Sequence, residues 1–340
     1  MLVARYYNNK NVRIESAEKP QIRDGEVLVR VMSCGICGSD VMEWFRVPKS
    51  PRILGHEIAG VVAESRSDRF VEGERVVVRN QVPCGICHAC ANGHHSVCEA
   101  SVEIEPGGMA EFIRVPRQIV ERGMWRLPNS LPYPVGTLAE PLACVLHSQN
   151  LALTTASKCL VIVGCGVFGL LHLQVARHSG VQRIIVVEPN EYRQAVAINM
   201  GATAVVNSAD GLVSVINEVN NGHSADMSIV ATGSSSGLAT ACKALPRFGT
   251  VLLFGIPPPN AAGELSINQI FWRKELVLLS SYGPGNVAFS EALRLLQQGA
   301  INFDQLITHE IPFGEVQSGF ELASKAADSL KIVLDLGTCT

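Results

Sequence analysis

The sequence predicts an α/β protein in two parts: a β-rich, barrel-like region over residues 1–150 and a doubly wound parallel sheet with helices over 151–285, with a last segment, 286–340, returning to the first region. Three observations carry this prediction. The texture changes near residue 158, from short β-type runs separated by glycine and proline turns to strands alternating with helices. At that change stands "VIVGCGVFG", a glycine turn between an apolar strand and an apolar helix. The third is size and composition: 340 residues, 47% hydrophobic and 17% charged, are enough chain for two buried cores.

In the first region, "EVLVRVMSCG" (26–35), "EIAGVVAES" (57–65) and "ERVVVRN" (74–80) read as strands, with turn signals such as "RDGE" and "VEGE" between them. In the second, "KCLVIV" is a buried strand followed by a helix, and "RIIVVEPN" (183–190) is the next strand. A helix ending at "NMGA", the strand "AVVN", a further helix, "DMSIVATG" (226–233), a helix from about 237 and "GTVLLFG" (249–255) follow. The last segment gives the helix "NVAFSEALRLLQQG", the run "LITHEIPF", another helix and "LKIVLDL". No repeat or low-complexity tract interrupts this order.

The stretch "PCGICHACANGHHSVC" (83–98) places Cys84, Cys87, Cys90 and Cys98 in the spacing C-x₂-C-x₂-C-x₇-C. Four thiolates at that spacing suit a tetrahedral structural zinc whose ligand positions are all filled by protein. A redox pair needs one C-x-x-C at the head of a helix, and a disulfide framework belongs to short secreted chains. The chain has 11 cysteines, and Cys34, Cys144, Cys159, Cys165 and Cys339 stand singly.

At the second region's entrance, Gly164, Gly166 and Gly169 form G-x-G-x-x-G after a strand and before a helix, and Glu188 closes the next strand. Such glycines let backbone amides approach a dinucleotide pyrophosphate at a helix N-terminus. A carboxylate at the second strand's end accepts hydrogen bonds from both ribose hydroxyls and repels a 2′-phosphate, so Glu188 favours NAD over NADP. Arg193, five residues on, pulls in the other direction. Val167 and Phe168 within the turn, and Thr232 and Gly255 after later strands, complete the expected cofactor contacts.

Three short motifs carry reactive side chains: "GICGSD" with Cys37, Ser39 and Asp40, "GHE" with His56 and Glu57, and "AEP" with Glu140. One thiolate, one imidazole and one or two carboxylates form a mixed ligand set that leaves room for substrate, as catalytic zinc requires.

These motifs, in this order and with "GGMAEFIRVP" (107–116), "ATG" (231–233) and "ITH" (307–309), make the chain similar over its length to the zinc-containing medium-chain alcohol dehydrogenases, in particular their sorbitol (polyol) and threonine dehydrogenase branch. The resemblance implies a GroES-like barrel joined to a Rossmann domain, with the active cleft between them. It implies two zinc ions per chain, one catalytic and one structural. Cys37 and His56 become catalytic zinc ligands, with Glu57 and Glu140 as the candidates for the remaining protein ligand. Asp40 becomes the partner that orients the His56 ring. Cys34 is expected on a strand and buried.

In the mechanism this implies, zinc lowers the pKa of an alcohol hydroxyl, a hydride passes to the nicotinamide, and Ser39 takes the hydroxyl proton. Many relatives carry histidine two residues after the Asp of this motif to relay that proton, where this chain has Met42. The exit is then expected through the cofactor ribose, through water, or past Glu43. Short connections around the site suit a bulky or cyclic alcohol, with Trp44, Phe45 and Met109 as lining candidates.

The leading expectation is therefore an NAD-dependent, zinc-containing dehydrogenase of a secondary alcohol on a polyol, sugar or cyclitol. An amino-alcohol substrate would want Arg114, Arg117 or Glu103 as anchors, and a sugar-alcohol phosphate would want the cationic group Arg46, Lys49 and Arg52, which reads as a solvated loop. A non-catalytic NAD- and zinc-binding sensor is the reading from another class, and metal analysis separates it. A net charge of −3 gives no reason to expect a nucleic-acid or membrane partner. The N-terminal "MLVARYYNNK" has no apolar core of a signal peptide, so a cytoplasmic location is expected. A homodimer or homotetramer is expected through an edge such as "VLLFGIPPP" with "KELVLLSSYG".

Overall fold

The computed structural model describes residues 1–245, 247–261, 268, 271–285 and 287–337; Cys339 and residue 286, the first of an expected helix, lie outside the described residues. The chain forms two compact units. One holds Met1–Ala143, Gly285–Gly299 and the chain from Phe303 onward, and the other holds Cys144–Pro284 with Ala300–Asn302. The division expected at 150/151 falls at the end of the helix Ala139–Leu151, whereas the observed one falls inside that helix, which belongs partly to each unit.

The first unit is built on a seven-stranded sheet. Met124–Arg126, Arg75–Arg79, Glu57–Ser65, Val27–Ile36, Lys331–Asp335 and Ile307–Pro312 lie in that order, and Phe112–Val115 also pairs with Val27–Ile36. Val27–Ile36 is the hub because it is long, β-branched at alternate positions and buried along most of its length. Ile307–Pro312 and Lys331–Asp335 thus add two strands to a sheet whose hub is Val27–Ile36, and Ile311, Phe320, Ile332 and Leu334 join Val29, Val31, Ile58 and Val78 in one core.

Register then decides which motifs meet. Gly35 lies opposite Glu57 across one antiparallel pair, and Ile36 lies opposite Ile332 across the other. "GICGSD", "GHE" and the lysine that opens the last strand are therefore neighbours by strand pairing alone.

In the second unit, six parallel strands run in the order Ala204–Val206, Arg183–Val187, Cys159–Val163, Met227–Val230, Gly249–Leu253, Leu276–Ser280. Cys159–Val163 and Met227–Val230 are buried at every position, which is why they read as unbroken apolar runs rather than alternating ones. The order reverses between these two strands, and in such sheets the crevice for a ligand lies beyond their carboxyl ends. The glycine turn and Thr232 occupy that place.

Candidate active site and metal centres

The cysteine loop is closed at its base by Gln81–Val82 pairing with Val102–Glu103. The ligand atoms of Cys84, Cys87, Cys90 and Cys98 all lie within 4.8 Å of one another. The Cys87 and Cys98 sulfurs are 3.8 Å apart. A disulfide would bring them to about 2.05 Å, whereas zinc–sulfur bonds of about 2.3 Å in a tetrahedron hold sulfurs about 3.8 Å apart. Backbone amides aim at the sulfurs: Cys84 N–H donates to Cys98 Sγ at 3.2 Å and Cys87 N–H to Cys84 Sγ at 3.3 Å. Donors from the Glu99 and Cys90 amides bring the Cys87 thiol down to about 6, while burial pushes Cys90 up to about 12. The cage fits zinc, and no disulfide joins any of the described cysteines.

A second group gathers Cys37, His56 and Glu57, again with ligand atoms within 4.8 Å of one another. Cys37 follows the hub strand and starts a short 3₁₀ turn, Gly38–Val41, whose Asp40 folds back so that Cys37 N–H donates to Asp40 Oδ2 at 3.1 Å. Asp40 is fully buried, and its Oδ1 lies 3.6 Å from His56 Nδ1. That places Asp40 on one ring nitrogen and leaves Nε2 for a metal. Burial alone would push the His56 imidazole down, but Asp40, Cys37 and Glu140 together hold it well above the usual range. Cys34, on the strand, is fully buried and its thiol is pushed well up, chiefly by burial. It stays a thiol.

Glu140, at the start of the helix Ala139–Leu151, is buried outside this three-residue group, and its charge acts on His56 and on Lys331. Glu57 is tightly held. Lys331 Nζ donates to both of its oxygens at 2.7 Å, and also to Ile36 O at 3.3 Å. The carboxylate packs so closely on Gly35 that a Cβ there would collide with Glu57 Oε2. Burial would lower the Lys331 ammonium, but Glu57, with Cys37 and Glu140, raises it.

Arg46 corrects an expectation. It is not part of a solvated loop: its side chain is 13% exposed and its guanidinium donates to Ser39 O at 2.9 Å, Ser39 Oγ at 3.2 Å and Asp40 Oδ1 at 3.0 Å. The turn Glu43–Arg46 brings it back onto the motif. Lys49 sits over the Phe45 ring at 4.2 Å. Glu43, offered as a proton exit, accepts from the Asn9 backbone N–H at 3.0 Å. Met109 is fully buried in the core, whereas Trp44 is exposed. Arg114 pairs with Glu105 and Glu26, and Arg117 with Glu121.

In the second unit the glycine turn has the form a pyrophosphate needs. Gly164 adopts φ +91°, and a Cβ there would press on Thr232. A Cβ on Gly169 would strike Gly164 O, and one on Gly255 would strike the Thr232 backbone. The helix Val167–His178 begins directly after Gly166, so the amides of Val167 and Phe168 face outward at its N-terminus. Glu188 is buried and accepts from Cys165 N–H at 2.6 Å and Asn190 N–H at 3.0 Å, which ties it to the turn. Arg193 Nη1 stands 3.9 Å from where a Gly166 Cβ would be.

Sequence reading missed Lys331, although a lone lysine in the apolar run "LKIVLDL" is a signal: a charge on a buried strand needs a partner.

Comparisons agree with this architecture. Residues 23–126 match the alcohol dehydrogenase GroES-like domain, and residues 167–298 match the zinc-binding dehydrogenase domain. The chain is 32% identical over 332 residues to L-threonine 3-dehydrogenase of Pyrococcus horikoshii, covering 93% of each. Galactitol-1-phosphate dehydrogenase of Escherichia coli superposes with a TM-score of 0.87 at 26% identity, covering 98% of this chain and 100% of that one. An Escherichia coli CFT073 alcohol dehydrogenase solved with NADH gives 0.86 at 26% identity over 99% of each. The paired domains and a relative of this likeness across nearly the whole length establish that the chain belongs to the zinc-containing medium-chain alcohol dehydrogenase family.

Proposed function

We propose that this oxidoreductase removes a hydride from a secondary alcohol of a polyol, sugar or cyclitol, passes it to NAD, and yields a ketone. The observation that carries the reading is the mixed group of Cys37, His56 and a carboxylate, with Ser39 and Asp40 beside it. Such a set suits a zinc ion with a position open to substrate, and the four-cysteine cage suits a second, closed one. When bound, the catalytic ion supplies Lewis acidity toward the alcohol oxygen.

The chain's own residues do the rest. Asp40 fixes the His56 ring, and Arg46 fixes Asp40 and Ser39. Ser39 Oγ accepts from Arg46 through one lone pair and keeps a second to receive the hydroxyl proton. Arginine accepts no proton, so the proton leaves Ser39 toward cofactor ribose or water. Glu188, held at the glycine turn, takes the ribose hydroxyls and favours NAD over NADP.

An amino-alcohol substrate is the second reading, favoured by the threonine 3-dehydrogenase relative. Against it, Arg114 and Arg117 are engaged in ion pairs of their own. We place the enzyme in the cytoplasm as a homodimer or homotetramer. The edge strand Leu276–Ser280, with Val277 and Leu278 exposed, supports the assembly, and light scattering checks it. No helix among the described residues is long and apolar enough to cross a membrane.

The experiment is NAD reduction followed at 340 nm across polyols, cyclitols, amino alcohols and sugar-alcohol phosphates, with metal counted in the same preparation. Turnover of a neutral polyol or cyclitol with two zinc ions per chain is expected. Turnover confined to threonine-like or phosphorylated alcohols would replace the substrate class. Loss of the catalytic metal without loss of NAD binding would point to a sensor.

A further inference from the structure

His172 lies in the helix that follows the glycine turn, fully buried, and the pyrophosphate site makes no use of it. Burial pushes its imidazole down to about 3, so the ring is neutral and carries one proton. Gln149, itself buried, decides which nitrogen holds that proton. Its Nε2 donates to His172 O at 2.8 Å, which fixes the amide orientation, because a turned amide would set oxygen against oxygen. The second hydrogen of the same Nε2 faces His172 Nδ1 at 3.1 Å, so Nδ1 accepts and the ring proton sits on Nε2.

That Nε2–H is buried and meets no nitrogen or oxygen acceptor among the described residues. An aromatic ring does meet the imidazole. Phe254 lies at 4.7 Å between ring centroids and 88° between planes, an edge-on arrangement that suits an N–H pointing at a π face. Phe254 in turn packs on Phe168 at 4.9 Å. Both phenylalanines are half-buried, and both stand where the crevice opens. Phe168 is the second residue of the helix after the glycine turn, and Phe254 directly follows the strand Gly249–Leu253 at its carboxyl end. Glu188, read above as the partner of the adenosine ribose, follows Arg183–Val187 on the other side of the order reversal. A dinucleotide lying across that reversal puts its nicotinamide half on the side of Phe254.

We infer that His172 is a positioning residue: held as the Nε2–H tautomer by Gln149, it fixes the Phe254 ring against Phe168, and the two rings wall the nicotinamide. A leucine in its place would fill the space but give the Phe254 ring no direction. The inference rests on the dinucleotide-binding reading above, and the following experiment separates their failures.

Titration calorimetry on the zinc-loaded protein compares two ligands, NADH and ADP-ribose, which differ only by the nicotinamide. His172→Leu and Phe254→Leu are each expected to weaken NADH by about threefold to tenfold, the scale of one aromatic contact, and to leave ADP-ribose unchanged. In the double variant the losses do not add, because His172 acts through the ring, and NADH affinity equals that of Phe254→Leu alone. His172→Gln keeps an amide N–H near the Nε2 position and restores most of the NADH affinity. Equal loss for both ligands, additive losses or unchanged NADH affinity overturns the inference. A second measurement needs no variant to fold: NMR of the parent protein, with its histidine ring nitrogens labelled, shows a buried histidine with a protonated Nε2 and a bare Nδ1. A proton on Nδ1 of His172 overturns the inference. A parent protein that binds neither ligand sinks the dinucleotide reading itself, and this inference with it.

Discussion

The cysteine loop and the Cys37–His56 group belong to the same unit, yet they are assembled by opposite means. The loop is local: its four thiols come from one run, 83–98, and its base is a two-residue strand pair. Its charge is softened by backbone amides that donate to sulfur. The other group is assembled from the hub strand and the strand beside it, and its carboxylates are paired with side chains, Asp40 with Arg46 and Glu57 with Lys331 from the last described strand. A closed cage needs only geometry. A working electrophile also needs its net charge set, and that takes residues from far along the chain.

Breaking the cage tests the first half of this contrast. Replacing Cys98 with alanine is expected to lower stability by more than about 4 kcal/mol, the range that loss of a structural metal occupies. Denaturant unfolding and metal counting check it, and the Cys37–His56 centre should keep its own ion in whatever fraction stays folded.

The next effect is smaller and falls on the other centre. Arg46→Met leaves Asp40 without its cation, and weakening of catalytic-site zinc by about 10–100-fold is expected. Chelator competition measures it, with cage affinity as the internal control.

Proton competition should distinguish the cage's own thiols. With Cys87 near 6 and Cys90 near 12, Cys87 is ionised at neutral pH while Cys90 still carries a proton that zinc must displace. Cage affinity therefore rises as pH increases from 7 to 8, by about tenfold per unit for each proton still bound. Below pH 6 the slope steepens, because Cys87 becomes protonated as well. Titration against a chromophoric chelator reads both slopes.

The smallest effect lies in the second unit. Glu188→Ala removes the repulsion toward a 2′-phosphate, and a shift of about tenfold in the NAD/NADP preference of kcat/KM is expected, about 1.4 kcal/mol.

What was legible in the sequence follows the same division between local and distant. Glu57–Ser65 is a strand with the bounds its β-branched run suggests, and the glycine turn is where its spacing put it, because both depend on neighbours a few residues away. Residue types marked Cys37, His56 and the two glutamates as reactive. Arg46 was misread because its role depends on a single turn that carries it back onto Ser39. Lys331 was missed because its partner lies 274 residues earlier, and they meet only because Lys331–Asp335 pairs with Val27–Ile36, which in turn pairs with Glu57–Ser65.

That last strand has a consequence for how the protein is made. A chain emerging from the ribosome presents Cys37, His56 and Glu57 long before residue 331 exists, so until that residue arrives the Glu57 carboxylate has no cation beside it. The counter-charge arrives only with Lys331, so a chain cut before that strand would keep Cys37, His56 and Glu57 and still leave the carboxylate without its lysine.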